Sequence, residues 1–141
     1  MPLQGSFTHK LVAACSPATG VSLVDLYSGN RTQTITGNPG KAYCCCWNPQ
    51  NEFELLVGDS YGFCYLYDIR KSEINHFVAV VGGKGDGEPT PIVETPLTSC
   101  HYSLDGTKIV CVSNGETPVK VFNGFTFEPL DIVITGVSRS E

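Results

Sequence analysis

The stretch LLVGDSYGFCYLYDIR, Leu55–Arg70, decides the fold of this protein. Two apolar runs flank a short turn of small residues, a pattern that is typical of a β-hairpin. The second run ends in the sequence Tyr67-Asp68-Ile69-Arg70. The stretch therefore predicts two paired strands that end in an acid and a base, and it raises the question of whether that charged end binds another protein.

The same plan occurs three times along the chain. The other two copies are LVAACSPATGVSLVDL, residues 11–26, and IVCVSNGETPVKVFN, residues 109–123. Each copy has an apolar strand, a turn and a second strand with an acid or amide near its end, namely Asp25, Asp68 and Asn123. The first two copies are 43 to 44 residues apart. A period of this length with four strands per repeat is typical of a β-propeller blade.

The third copy follows after an interval that is longer by about a dozen residues. The segment GGKGDGEPTPIVETP is rich in Gly and Pro and interrupts the strand pattern, so we interpret it as an inserted surface loop. We therefore predict one partial propeller domain over residues 1–141. Its parts are blade 1 at about 7–36, blade 2 at about 41–81, the loop at 82–96 and blade 3 at about 97–136.

Composition excludes several classes of function. The chain has 141 residues, 41% of them hydrophobic, which is enough for one domain with a core. Its net charge is −5 and its nine Lys and Arg are scattered, so we expect no direct binding of nucleic acid. No apolar run is long enough to span a membrane, and the start of the chain lacks a signal-peptide pattern. The seven cysteines, mostly in apolar runs, favour an intracellular location, nuclear or cytoplasmic.

Two longer segments, CCCWNPQNEFELLVGDSYGFCYLYDIR and CHYSLDGTKIVCVSNGETPVKVFNG, resemble blades of the WD-repeat propeller family. The resemblance implies an all-β fold: part of a WD-repeat β-propeller, with about three blades of four-stranded antiparallel sheet. The Trp-Asp dipeptide of the family is replaced by Val24-Asp25, Tyr67-Asp68 and Phe122-Asn123, and its Gly-His dipeptide by Gly37-Asn38. The buried network of the family cannot be drawn completely from these residues, so we expect the blades to depend more on apolar packing.

Within that family, the chain is similar to the substrate receptors of cullin-4 ubiquitin ligases. The resemblance implies a non-catalytic interaction scaffold acting in transcription-coupled DNA repair. Such receptors often carry a Trp-Asp-x-Arg ending, whose Arg faces the ligase adaptor. Here Arg70 would be the contact, with Asp68 and Tyr67 orienting the strand end. Two alternatives stay open: Arg70 only closes a strand with a local ion pair, or the chain is a WD-repeat scaffold of a chromatin or RNA-processing complex with no ligase link.

The remaining candidate sites favour structural roles. In a strand, Cys44 and Cys46 would face one way, and Cys45 the other way with Tyr43 and Trp47, so a buried strand explains this run better than zinc does. His9, His76 and His101 are far apart in the sequence, and no catalytic spacing is present. We therefore predict no enzyme activity, metal or cofactor. Because propellers close with four to eight blades, we also expect a fragment that self-associates through open blade faces.

Overall fold

The fold consists of β-strands. The computed structural model describes residues 3–5, 10–18, 20–71, 77–82, 90–114 and 119–130. In these ranges there are twelve strands and no helix, and therefore no helix that could cross a membrane. The strands are β1 Leu3–Gly5, β2 Leu11–Ser16, β3 Gly20–Asp25, β4 Arg31–Ile35, β5 Ala42–Asn48, β6 Asn51–Asp59, β7 Cys64–Asp68, β8 Phe77–Val80, β9 Leu97–Tyr102, β10 Lys108–Ser113, β11 Val119–Asn123 and β12 Pro129–Leu130.

The strands form three antiparallel sheets of four strands each, in the orders β1-β2-β3-β4, β5-β6-β7-β8 and β9-β10-β11-β12. Each sheet is a simple meander, which confirms the prediction of an all-β fold with about three four-stranded blades. We call the sheets blades 1, 2 and 3. Strand β1 was not predicted, because Leu-Gln-Gly is too short to show a periodic pattern. The predicted residues 7–9 of blade 1 and 131–136 of blade 3 lie outside the described residues.

One cross-strand pair recurs in every blade and aligns the three repeats. The pairs are Leu11 with Asp25, Glu54 with Asp68 and Lys108 with Asn123. The acid or amide therefore occupies the same position in each blade, as the repeat predicted. On the first strand of the hairpin, the equivalent of Leu11 is Glu54 and not the neighbouring Leu55. Sequence spacing alone leaves this one-residue ambiguity because the turns differ in length.

The core lies between the blades and is divided in two by blade 2. The first core cluster, between blades 1 and 2, contains Cys45 and Trp47, and the second, between blades 2 and 3, contains Cys44 and Cys46. This alternation is the one predicted for a buried strand. Tyr43 differs from the prediction: the register shifts between Ala42 and Cys44, and the Tyr43 side chain is 37% exposed. A bulge turns this side chain away from the core.

Turns at one end of the blades carry the candidate site. This end, which we call the Arg70 end, is formed by residues 26–30, 49–50, 69–71, 103–107 and 124–128. Two contacts join neighbouring blades at this end: Gln50 Nε2 donates to the Asp105 carbonyl over 2.8 Å, and Gln33 Nε2 on β4 donates to the Ile69 carbonyl over 3.4 Å. The turns of the three blades therefore belong to one continuous surface.

The predicted inserted loop is attached to the blades where it is described. Its residues 83–89 lie outside the described residues. Beyond them, the Ile92 N–H donates to the Gly62 carbonyl over 2.8 Å, and Lys120 Nζ donates to the Ile92 carbonyl over 3.0 Å. Ile92 and Val93 pack against the second core cluster. This part of the insertion therefore covers the core at the end opposite to Arg70.

Candidate functional site

Arg70 lies in the turn after β7 and is held in place from two sides. Asp68 Oδ1 accepts hydrogen bonds from Arg70 Nε at 3.2 Å and from the Arg70 backbone N–H at 2.9 Å, while Asp68 Oδ2 accepts one from Nη2 at 2.9 Å. The guanidinium also stacks on Phe53, with its central carbon 4.4 Å from the ring centroid. The Arg70 side chain is 58% exposed, against 11% for Asp68. A mostly buried carboxylate thus fixes an exposed cation.

The charges around Arg70 follow from this geometry. The side-chain hydrogen bond from Arg70 lowers the pKa of Asp68, and the same bond raises the pKa of Arg70. Glu52 and Glu54 add further negative charge near the guanidinium. Among the described residues, the hydrogen bonds of this side chain use Nε and Nη2. The two N–H groups on Nη1 are therefore available to an acceptor on another molecule.

The two other predicted site residues have different positions. Asp68 accepts the side-chain hydrogen bonds of Arg70 and so orients its guanidinium. Tyr67 is only 1% exposed and belongs to the first core cluster, because its side chain points between the blades. Tyr67 therefore contributes to this site only by fixing strand β7.

Tyr67 belongs instead to a buried polar network that the sequence analysis missed. Its hydroxyl donates to Asn38 Oδ1 over 2.6 Å, and Asn38 Nδ2 donates to Asp59 Oδ2 over 3.2 Å. Burial raises the pKa of the Tyr67 phenol, which keeps the donor protonated. Asp59 also accepts from the backbone N–H groups of Gly40, Tyr61 and Phe63. Blade 2 thus has a polar network of its own, in addition to the apolar packing that we expected.

Two signals in the sequence point to this network. Asn38 stands where the family has His, and an amide can both donate and accept. Asp59 is an acid at the end of β6, directly before the hairpin turn. Counted from the aligned pairs, the equivalents of Asp59 in the other blades are Ser16 and Ser113. Among these three equivalent positions, only blade 2 therefore has a carboxylate.

Removing the Tyr67 hydroxyl tests the network. We expect Tyr67→Phe to lower the free energy of unfolding by about 1–2 kcal/mol, because the Asn38 carbonyl loses its buried donor. Urea denaturation measures this change. Tyr61→Phe is the matched control, since Tyr61 is exposed and its loss of a hydroxyl should cost less than about 0.5 kcal/mol. Equal stabilities of the two variants would contradict the network.

A cleft lies between blades 1 and 2, at the end opposite to Arg70. The cleft has a volume of about 300 Å³. Its walls come from the β2–β3 turn, the connection between β4 and β5, Val57 and Tyr61, and Lys41 is the charged residue in its lining. This lining brings together no nucleophile and general base.

The cysteines and histidines form no reactive site among the described residues. All seven cysteines are buried and unpaired. Burial raises the pKa of the Cys46 thiol to about 11, so this thiol is protonated at neutral pH. No group of three or more His, Cys, Asp or Glu within the described ranges could hold a metal ion. His101 is exposed, whereas His9 and His76 lie outside the described residues.

Comparisons with known proteins support the fold. No protein-family model and no curated protein matches the sequence. Among 762 matching chains of solved structures is one from the crystal structure of a mitotic checkpoint complex. It is similar to this protein with a TM-score of 0.72 and 16% sequence identity, and the match covers 90% of this chain and 34% of that chain. This chain therefore spans about a third of the length of the chain it matches.

Together, the three blades and this similarity define the fold as part of a β-propeller of the WD-repeat type. At 16% sequence identity, this similarity shows the fold alone. From its opening segment, its Asp-Ile-Arg ending and the insertion before blade 3, we also expected the sequence to be similar to the Cockayne syndrome A protein. The comparisons do not support that specific similarity. A fold shared by so many chains does not identify the partner, which has to be argued from the site.

Proposed function

We propose that this chain is the substrate-receptor part of a cullin-4 ubiquitin ligase, a non-catalytic scaffold whose Arg70 contacts the ligase adaptor. The observation that carries the proposal is the Tyr-Asp-x-Arg ending of blade 2, with its guanidinium fixed by Asp68 and exposed to solvent. We further propose that it acts in transcription-coupled DNA repair in the nucleus, on the basis of the sequence resemblance to the Cockayne syndrome A protein alone.

The geometry of Arg70 favours a binding role. An unconstrained Arg loses side-chain entropy when a partner immobilises it. Asp68 and Phe53 already restrict this side chain, so less entropy is lost on binding. An exposed ion pair contributes only about 0–1 kcal/mol to stability, so stability alone does not explain why the Arg70 side chain is fixed. Binding and stability measurements therefore distinguish a partner contact from a strand end that is merely closed by a local ion pair.

Charge reversal at Arg70 is the test. We expect the 141-residue chain to bind the purified adaptor. Arg70→Glu should weaken this binding by about 30-fold or more, because the new carboxylate faces Asp68 and the acceptor on the adaptor loses the Arg70 donor. Isothermal titration calorimetry or surface plasmon resonance measures the affinity. The matched control is Lys41→Glu, which makes the same charge change at an exposed position at the opposite end of the blades and should change affinity less than about twofold.

Two other outcomes would change the conclusion. If Arg70→Glu binds the adaptor as tightly as the unmodified chain, Arg70 is not the contact. If the unmodified chain does not bind the adaptor, the ligase role fails, and a WD-repeat scaffold of a chromatin or RNA-processing complex becomes the better hypothesis. Thermal melting of each variant confirms that a change in affinity does not come from unfolding.

A further inference from the structure

Three equivalent turns place three exposed side chains at the Arg70 end. Asp25 Oδ1 accepts a hydrogen bond from the Tyr27 N–H at 2.8 Å. Asp68 Oδ1 accepts one from the Arg70 N–H at 2.9 Å, and Asn123 Oδ1 accepts one from the Phe125 N–H at 2.7 Å. In each blade, the acid or amide of the repeat thus closes an Asx turn and fixes the residue two positions later. The three equivalent positions carry Tyr, Arg and Phe.

The residues at these positions are unusually exposed for their type. Tyr27 is 77% exposed and Phe125 is 65% exposed. Six large hydrophobic residues are exposed among those that the structure describes, and four of them, Leu26, Tyr27, Leu104 and Phe125, lie in turns of the Arg70 end. Single exposed apolar residues are ordinary, but a concentration on one surface indicates an interaction site.

Cations restrict the position of the aromatic side chains on this surface. Lys10 Nζ lies 4.1 Å from the centroid of the Tyr27 ring, just as Arg70 lies over Phe53 in the next blade. Such contacts contribute about 0.5–1 kcal/mol at exposed sites. The Tyr27 and Arg70 side chains are therefore partly ordered before any partner arrives, which lowers the entropic cost of binding.

We propose that Tyr27, Arg70 and Phe125 form one protein-binding surface, in which each blade supplies one anchor residue. The inference rests on the proposed function in that Arg70 is its central contact. Tyr, Phe and Arg are enriched in protein interfaces, and Tyr and Arg often carry much of the binding energy. The partner is a protein surface with apolar pockets for the two rings and an oxygen acceptor for Arg70 Nη1.

The charges around Arg70 specify this acceptor. Asp68 neutralises Arg70, and the two charges of Glu52 and Glu54 outweigh that of Lys71, so the surroundings of the guanidinium are negative. A carboxylate of the partner would be repelled by these groups, whereas a main-chain carbonyl would not. The same negative charge disfavours a nucleic acid or an anionic membrane as the occupant. Binding should therefore depend mainly on apolar contact and only weakly on salt.

Serine substitutions at the two rings test the surface with purified adaptor. We expect Tyr27→Ser and Phe125→Ser each to weaken adaptor binding about tenfold or more, since each removes a buried anchor from the complex. Tyr61→Ser is the matched control, because Tyr61 is an exposed aromatic residue at the opposite end and should change affinity less than about twofold. Raising NaCl from about 50 to about 500 mM should change the affinity of the unmodified chain less than about threefold.

The outcomes separate this inference from the proposed function. If Arg70→Glu weakens adaptor binding while both serine variants bind normally, the proposed surface of Tyr27, Arg70 and Phe125 is wrong and the adaptor contact of Arg70 stands. If binding falls more than about tenfold with salt, the neutral acceptor is wrong.

If the adaptor does not bind at all, the proposed function fails, and the surface is tested by photo-cross-linking. The cross-linker p-benzoylphenylalanine is placed at position 27, 125 or 61 of the chain in a cell extract. Labelling of the same protein from positions 27 and 125, suppressed by Arg70→Glu and absent from position 61, supports the surface. If positions 27 and 125 label different proteins, or if neither position labels a protein, the proposed surface is wrong.

Discussion

Gly62→Ala is expected to lower the free energy of unfolding by more than about 3 kcal/mol. Gly62 has a φ of +90°, and a Cβ there would lie 1.9 Å from the Val93 carbonyl oxygen and 2.9 Å from that of Thr95. The left-handed conformation alone costs a non-glycine residue about 1–2 kcal/mol. The clash with rigid backbone adds to this cost, because the segment that covers the second core cluster must move.

Gly29→Ala is the matched control for this prediction. Gly29 also has a positive φ, +72°, but a Cβ there would meet no atom within 4 Å. It should therefore lose only the conformational part, about 1–2 kcal/mol. Urea denaturation of both variants measures the difference. Equal losses would show that the Val93 segment does not pack on the turn that contains Gly62.

Asp59→Ala is expected to destabilise the protein by about 3–5 kcal/mol. The carboxylate is fully buried and accepts four hydrogen bonds, from Asn38 Nδ2 and from three backbone N–H groups of the surrounding turns. Alanine would remove the acceptor of these part-buried hydrogen bonds. Asn38 Nδ2 still has the Val57 carbonyl as an acceptor, whereas the three backbone N–H groups lose theirs. Each unsatisfied group costs about 1–3 kcal/mol unless water reaches it. The Asn38 amide, which accepts from the Tyr67 hydroxyl, also loses its hydrogen bond to Asp59 and is held less firmly.

The comparison variant is Asp105→Ala. Asp105 is an exposed turn residue that accepts hydrogen bonds from Ser103 Oγ and from the N–H and hydroxyl of Thr107, and these bonds, led by the one from the Thr107 N–H, lower its pKa to about 2. Water can replace the lost acceptor at this surface, so we expect a loss of only about 1 kcal/mol. Chemical denaturation at neutral pH compares the two. A loss for Asp59→Ala no larger than that for Asp105→Ala would contradict the structural role of the network.

Much of the fold could be predicted because its signals are local. The apolar alternation around Leu55–Arg70 and the 43-residue period reflect the two-residue repeat of a strand and the length of a blade. The position of Arg70 just after a strand followed from the same pattern. Its fixation by Asp68 is also local, since the two residues are two positions apart and share one turn.

The sequence by itself determined the strands, the hairpins and the repeated acid or amide at the strand ends, because these depend on neighbouring residues. Only the tertiary structure decided which of those positions meet. Tyr67 reaches Asn38 across 29 residues, and the turns that carry Tyr27, Arg70 and Phe125 lie at the same end of the blades, because blade stacking brings distant segments together. The Tyr43 bulge and the contact of Val93 with Gly62 depend likewise on how the blades pack, which no local pattern specifies.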